Sequence, residues 1–204
     1  LDSKNVDKFR PLYDEYLEIT NDHLDAAVEY IKMLPETQFR LKAACMLASE
    51  QFQRAIRLLE NVRTENQQPA IRQLLGVAYS AVNKHKEAIY TLMPNTNHSK
   101  LGGEAWLKIG DAQRALGENI RAIRSYKNSL DMSPDQIEAW SGLAKTALEL
   151  DDTEDIITSY SKVLEYDSTS SEALYGLGYA WYRKGSLKKA YKYLNSSILI
   201  MKES

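Results

Sequence analysis

Cysteine, proline and glycine are all scarce in this sequence of 204 residues. It contains one cysteine, Cys45, together with five prolines and nine glycines. A single cysteine excludes an intrachain disulfide framework and favours a reducing compartment such as the cytoplasm, while a periplasmic location stays open. So few glycines and prolines argue against an all-β fold, whose many turns require them.

An excess of one charge and a long apolar run are also missing. The 26 basic and 28 acidic residues nearly cancel, so the composition offers no electrostatic attraction for nucleic acid or anionic lipid. No apolar run reaches the roughly 18–20 residues of a membrane-spanning helix, and the N-terminal "LDSKNVDKFRP" lacks the apolar core of a signal peptide. With 44% apolar residues, the chain is predicted to be soluble and helix-rich, with a large core.

Residues that catalyse reactions or bind metals do not form a recognisable motif. The three histidines are isolated, and Cys45 has no histidine partner. The "KLGGE" stretch lacks the Lys and Ser/Thr of a phosphate-binding loop. The acidic stretch 151–155 lacks the central Gly and terminal Glu of a calcium loop, and acids at a helix start interact favourably with the helix dipole. We therefore predict no enzymatic activity, no cofactor and no metal.

A regular internal period, of about 34 residues, is the main positive signal. The stretch "AWLKIGDAQRALG" at 105–117 is followed one period later by "AWSGLAKTALELD" and, after a further period, by "ALYGLGYAWYRKG"; "IRQLLGVAYSAVN" precedes it at the same spacing. If Gly103 is position 1, large residues recur at positions 4, 7 and 24, and small ones recur at positions 8 and 20. These spacings follow one face of a helix and then one face of a second helix.

This pattern resembles the tetratricopeptide repeat (TPR), a helix–turn–helix unit of about 34 residues. Repeat 103–136 carries the family's signature residues Trp106, Ile109, Gly110, Ala122, Tyr126 and Pro134. The resemblance implies an all-α fold, a right-handed α-solenoid of about six helix–turn–helix repeats in which each pair buries its apolar face against its neighbours.

Six helical pairs account for the whole chain, so we expect a single superhelix over 1–204. Four of them are clear repeats, at 69–102, 103–136, 137–170 and 171–204. The second helix of the first of these departs from the pattern after Leu92. Upstream the signal weakens to a repeat at 36–68 that is one residue short, and to a divergent helical pair at 1–35.

The resemblance also implies a binding surface, because TPR first helices direct positions 2, 5, 9, 12 and 13 into a concave groove. In this chain we expect the groove to be lined by Gln73, Val77, Ser80, Leu107, Asp111, Arg114, Ser141, Lys145, Leu148, Tyr175, Tyr179, Tyr182 and Arg183. The three tyrosines are typical of an interface, since tyrosine supplies rigid, amphipathic contact area. The alternative is that some of them pack against a further repeat.

Two ligand classes of helical-repeat proteins are excluded by these residues. The carboxylate clamp with which some TPR proteins bind acidic chaperone tails needs Lys at position 5 and Asn at position 9. Position 9 of the five later repeats instead reads Ala44, Val77, Asp111, Lys145 and Tyr179. RNA-binding helical repeats differ from this chain in both period and charge. We therefore expect neither a dicarboxylate-clamp partner nor a nucleic acid.

The sequence thus predicts a non-enzymatic scaffold that binds a peptide segment or helix of a partner protein in its groove. The alternative is a self-associating assembly module, or a fragment of a larger TPR protein that positions another domain in a multiprotein complex. Ile198 and Ile200, at positions 28 and 30 of the last repeat, motivate the alternative, because a following repeat is expected to cover their counterparts Leu130 and Met132.

Overall fold

Helices are the only regular elements in residues 36–61 and 68–203, the part of the chain that the computed structural model describes. The helical pair expected at 1–35 lies outside these residues. Within the described ranges we number ten α-helices: α1 Glu36–Ala48, α2 Phe52–Asn61, α3 Pro69–Ala81, α4 His85–Leu92, α5 Gly102–Ala115, α6 Asn119–Met132, α7 Ile137–Glu149, α8 Thr153–Tyr166, α9 Ser171–Arg183 and α10 Leu187–Glu203.

The same turn joins the two helices of every described pair. Just after each first helix, the backbone enters the left-handed region, at Glu50, Asn83, Gly117, Asp151 and Gly185. This conformation ends a helix and is least costly for glycine, followed by asparagine and aspartate. The five residues recur at the spacing of the sequence repeat. The helix–turn–helix architecture of an α-solenoid is therefore confirmed, and α1 and α2 form a helical pair of this kind within residues 36–61.

The chain forms two compact units, 1–95 and 96–204. In the first unit, α1 to α4 pack around small and aliphatic side chains, and a Cβ on Gly76 would overlap the side chain of Leu92. Helix α4 ends at Leu92, where the sequence pattern also breaks, and a 3₁₀-helix, Met93–Asn95, follows. Asn95 is fully buried.

Hydrogen bonds hold the buried Asn95 in the first unit. Its Nδ2 donates to the Pro69 carbonyl over 2.7 Å, and its Oδ1 accepts from Arg72 Nε over 2.9 Å. A buried amide needs such partners to offset its lost hydration. The residues that interrupt the repeat pattern are therefore fixed by a polar contact with the start of α3.

The second unit packs α5 to α10 as three successive pairs. Its core contains the predicted positions 7 and 20, such as Ile109 and Ala122, and both side chains are inaccessible to solvent. The largest fully buried side chains of this unit are Tyr126 and Tyr160, at position 24 of successive repeats. These two tyrosines link neighbouring repeats and determine the geometry of the candidate site.

Candidate protein-binding face

Tyrosines from the second helices reach the first helices through gaps left by glycine. The ring of Tyr126 in α6 lies between Gly110 of α5 and Gly142 of α7. A Cβ added to Gly110 would stand 2.8 Å from ring atom Cε1, and one on Gly142 would stand 2.5 Å from it. Its hydroxyl donates to Asp111 Oδ1 over 2.9 Å. Tyr126 therefore joins two repeats and ends at a predicted groove residue.

Tyr160 makes the corresponding contact with the following first helix one unit later, although Ala144 stands at position 8 of its own repeat. A Cβ on Gly176 of α9 would overlap its ring, and its hydroxyl donates to Glu172 Oε1 over 3.1 Å. Burial raises the pKa of Tyr160 and of Tyr126, and the neighbouring carboxylates of Glu172 and Asp111 raise it further. Both phenols are therefore neutral hydrogen-bond donors at physiological pH.

Cations on the first helices are paired with acids of the following repeat. Arg114 Nη1 of α5 lies 3.8 Å from Glu149 Oε1 at the end of α7. Lys145 Nζ of α7 lies 3.2 Å from Glu172 Oε2 at the start of α9. Exposed pairs of this kind add little stability. Their consequence here is electrostatic, because each cation already has a carboxylate partner.

The third cation, Arg183, is paired around a tyrosine. It forms an ion pair with Asp151, the left-handed residue after α7. Tyr179 lies between them: its hydroxyl donates to Asp151 Oδ1 and accepts from Arg183 Nη1, each over 3.0 Å. The guanidinium carbon also lies 5.9 Å from the centre of the Tyr179 ring. These contacts fix the orientation of Tyr179.

Tyr175 and Tyr182 flank Tyr179 on α9 and are much more open. Their side chains are 50% and 60% exposed. Residues seven apart lie on the same face of an α-helix. Together with the charged pairs above, these tyrosines form what we call the first-helix face, which comprises Asp111, Arg114, Ser141, Lys145, Leu148, Tyr175, Tyr179, Tyr182 and Arg183.

Leu107 does not belong to this face, although the repeat pattern predicts it there. It is 2% exposed and packs in a cluster with Tyr126 and Leu143. The aliphatic side chain is covered because α7 packs over this part of α5. Ser141 is half-buried, and Leu148 is a half-buried residue packed against the core around Tyr160.

The predicted groove residues of α3 belong to the first compact unit. Gln73, Val77 and Ser80 are all half-buried. Gln73 Oε1 accepts a hydrogen bond from Asn95 Nδ2 over 3.3 Å, so its amide contacts the network that fixes the end of the α4 segment.

Glycine at position 6 is the feature that the repeat pattern alone did not single out. Gly142 and Gly176 follow the position-24 tyrosines Tyr126 and Tyr160 at one common spacing, whereas Lys108 stands at that spacing after Leu92. A tyrosine followed by a glycine at this spacing is therefore a sequence signal for an aromatic ring that reaches the next repeat.

Three acids of the site were not named by the sequence analysis, although Glu149 and Glu172 stand at positions 13 and 2, which the resemblance directs into the groove. Glu149, Asp151 and Glu172 pair with Arg114, Arg183 and Lys145, respectively. Each of these pairs joins two different repeats. Sequence periodicity describes the contacts within a helix or a helical pair, so it does not indicate such partners.

The acidic stretch 151–155 has a structural role at the start of α8. Asp152 is the N-cap, and its Oδ1 accepts from the backbone N–H groups of Glu154 and Asp155 over 3.1 and 3.2 Å. Asp155 Oδ2 lies 2.7 Å from Lys127 Nζ. In 36–61 and 68–203, no group of three His, Cys, Asp or Glu side chains could hold a metal ion. Burial raises the pKa of the Cys45 thiol, which disfavours its reactive thiolate.

The outer side of α10 differs from the corresponding sides of α6 and α8. Tyr191 and Ile198, at positions 21 and 28, are 73% and 51% exposed. At position 30, however, Met132 and Tyr166 are exposed although a repeat follows each of them. The expectation that a following repeat covers position 30 is therefore wrong, and Ile200 at this position of α10 is itself half-buried.

Comparison with known families places two matches in the second unit. One tetratricopeptide repeat model matches residues 103–136, and another matches residues 145–199. No curated protein matches the sequence at a significant level. Among the described residues, no helix is both long enough and apolar enough to cross a membrane.

Solved structures with the same fold include several MamA proteins and YrrB. A MamA crystal structure has a TM-score of 0.71 and 19% identity, covering 79% of this chain and 95% of its own. MamA from Desulfovibrio magneticus RS-1, solved from residue 41 to its end, has a TM-score of 0.70 and 17% identity, and the match covers 82% of this chain and 96% of that one. YrrB is described as a TPR protein with an unusual peptide-binding site. It has a TM-score of 0.68 and 16% identity, and the match covers 79% of this chain and 84% of that one. At these low sequence identities, the similarity shows a shared fold and nothing further.

Proposed function

This chain belongs to the tetratricopeptide repeat family, and we propose that it is a non-enzymatic scaffold that binds a segment of a partner protein on its first-helix face. The observation that carries the proposal is the row of tyrosines on α9. Tyr175 and Tyr182 expose half or more of their surface, although tyrosine side chains stabilise a fold most when they are covered. Large exposed aromatic residues on one helix face are typical of interaction sites.

The setting of these tyrosines also supports binding. Tyr179 is held between Asp151 and Arg183, so its orientation is fixed before a ligand arrives. A pre-ordered side chain loses less conformational entropy on association than a mobile one. YrrB has a peptide-binding site by its description, which makes a peptide segment the natural class of ligand to test on a similar fold.

Binding to partners isolated from the native source tests this proposal. Tyr175→Ala and Tyr182→Ala should each lower the affinity for a purified partner about thirtyfold. This factor corresponds to the loss of a hot-spot side chain that contributes about 2 kcal/mol to binding. Tyr90→Ala is the matched control, since it removes an 81% exposed tyrosine from α4. Calorimetric titration of the partner gives the affinities. Equal affinities for all three variants and the unchanged protein would contradict the proposal.

A second candidate function is self-association through the outer side of α10, in which two copies of the chain cover each other's Tyr191 and Ile198. The same repeat positions in α8, Ile157 and Leu164, pack against a hydrophobic core. Tyr191 and Ile198 are only partly exposed, so covering them would contribute less than the roughly 1.5–3 kcal/mol of a full burial, but in a direction that favours an occupant for this surface.

Sedimentation velocity across a range of concentrations tests the second candidate. We expect a concentration-dependent dimer that the double variant Tyr191→Glu, Ile198→Lys converts to a monomer. Tyr90→Lys controls for the introduction of a charge at an exposed tyrosine. A wild-type chain that stays monomeric up to its solubility limit would exclude this function, while leaving partner binding on the first-helix face unaffected.

A further inference from the structure

The junction between α5 and α7 and the junction between α7 and α9 carry the same repeat positions but different charges. Position 9 of one first helix and position 2 of the next flank each junction. At the α7–α9 junction these are Lys145 and Glu172, whose Nζ and Oε2 atoms lie 3.2 Å apart. At the α5–α7 junction they are Asp111 and Glu138, so two carboxylates stand where the following junction has an ion pair.

The position-24 tyrosines indicate that the two junctions share one geometry. Tyr160 donates its hydroxyl to Glu172 Oε1 over 3.1 Å, on the position-2 side of its junction. Tyr126 donates to Asp111 Oδ1 over 2.9 Å, on the position-9 side of the preceding one. The tyrosine hydroxyl therefore reaches the same place in both repeats. Three further helices follow α7, so the surroundings of the α5–α7 junction do not depend on the end of the sequence.

The cations beside Asp111 on α5 already have acidic partners. Lys108 pairs along the helix with the glutamate four residues earlier, and Arg114 Nη1 lies 3.8 Å from Glu149 Oε1. The charge of Arg114 also acts on Asp111, but Glu149 shares it. In the part of the chain that the structure describes, neither Asp111 nor Glu138 forms an ion pair of its own. The junction therefore carries excess negative charge, which a complementary cation of a partner can neutralise.

We propose that the α5–α7 part of the first-helix face binds a lysine or arginine side chain of the partner segment between Asp111 and Glu138. The partner's cation takes the place that Lys145 occupies at the following junction, where a cation and a tyrosine hydroxyl fit together at these positions. Charge-assisted contacts are stronger than neutral hydrogen bonds, and Tyr126 orients Asp111 before the ligand arrives. This assignment of a basic segment rests on the proposed scaffold function.

A decapeptide of glycine and serine that carries three arginines is the probe for a test with the full chain, and the same peptide with three glutamines is the neutral control. In an NMR titration, the arginine peptide should bind saturably and shift the amide resonances of Asp111 and Glu138, whereas the control should not. Asp111→Asn and Glu138→Gln should each weaken the arginine peptide about fivefold. Asp131→Asn, which neutralises an exposed carboxylate on α6, should leave the affinity unchanged.

Asp111→Lys gives the sharpest test, because it recreates the charges of the α7–α9 junction. The new ammonium group can pair with Glu138 as Lys145 pairs with Glu172. The variant should therefore keep the thermal midpoint of the parent while it loses the arginine peptide. If it does not fold, the isosteric variants Asp111→Asn and Glu138→Gln decide the question. Full affinity in the folded variants, no binding of the arginine peptide, or tighter binding of a peptide with three glutamates would overturn this inference.

The native partner separates this inference from the scaffold function. If the arginine peptide fails while the partner still depends on Tyr175 and Tyr182, the scaffold function stands and only the ligand class is wrong. If the partner also ignores both tyrosines, both proposals are wrong.

Discussion

Helices α8 and α10 occupy the same place in successive repeats but differ in their surroundings. At position 24, Tyr160 of α8 is 2% exposed and inserts against Gly176 of α9, whereas Leu194 of α10 is only half-buried. At position 21, Ile157 packs against a core, but Tyr191 is 73% exposed.

The inner sides of these two helices are nevertheless alike. Ala190 of α10 is 3% exposed, and Leu194 contacts Gly178 of its own first helix, much as Ile156 of α8 is buried within its repeat. A second helix therefore makes two separable contacts: an inner one with its own first helix and an outer one with the following first helix. Helix α10 packs chiefly against its own first helix, α9.

Truncation at position 24 should give the largest difference between the two helices. Tyr160→Ala should lower the free energy of unfolding by about 3–5 kcal/mol, because it leaves a cavity between two repeats. Leu194→Ala should cost no more than about 2 kcal/mol, since this side chain is covered from one side. Urea denaturation followed by circular dichroism measures both values. Equal losses would contradict the division into inner and outer contacts.

Substitution of the glycine at position 6 should have the next largest effect on stability. Gly142→Leu should cost about 1–3 kcal/mol through overpacking, because the Tyr126 ring is held between Gly142 and Gly110 and has no space to move. Lys108→Leu changes the same repeat position in the preceding unit, where the side chain forms an ion pair with Glu104 at a partly exposed site. Thermal unfolding should separate the two variants clearly, and matching losses would exclude the glycine–tyrosine contact.

Substitutions at position 21 of α8 and α10 should differ less in their effect on the free energy of unfolding. Ile157→Ser should destabilise the chain by about 1 kcal/mol, because it exposes part of the core around Tyr160 to a polar side chain. Tyr191→Ser should stay within about 0.5 kcal/mol of the parent, as expected for a surface substitution. Denaturant midpoints of the two variants provide the measurement, and a larger loss for Tyr191→Ser would reverse the comparison.

A pH dependence of stability is the smallest expected effect. The folded state raises the pKa of Tyr160 through burial and Glu172, while in the unfolded chain a tyrosine ionises near pH 10. Above about pH 10 the unfolded state therefore loses a proton that the folded state keeps, and stability falls as pH rises.

Tyr160→Phe should reduce this fall, as measured by urea midpoints between about pH 9 and 11. Tyr175→Phe, which removes a half-exposed phenol from α9, is the matched control. A pH slope that Tyr160→Phe leaves unchanged would show that the buried hydroxyl does not control the alkaline transition.

The candidate face could be predicted in part. Asp111 and Arg114, which stand at positions 9 and 12, are half-buried on α5 beside the core stripe, as helical periodicity predicts, and their part in partner binding stays a prediction. Leu107 was misplaced, since whether position 5 is open depends on how the next first helix packs over it. The ion pair between Arg114 and Glu149 joins two successive repeats, and no local pattern indicates which of the nearby acids will meet the arginine.

The helix–turn–helix repeats, their turns and the inner core follow from the sequence alone, because helical periodicity and left-handed turn residues act over a few positions of the chain. The insertion of Tyr126 and Tyr160 beside glycines of the following repeat, and the choice of carboxylate that neutralises each cation of the first-helix face, are visible in the folded structure alone. These properties depend on the distance and angle between stacked helices, which arise from packing across repeats and are not encoded in any single one.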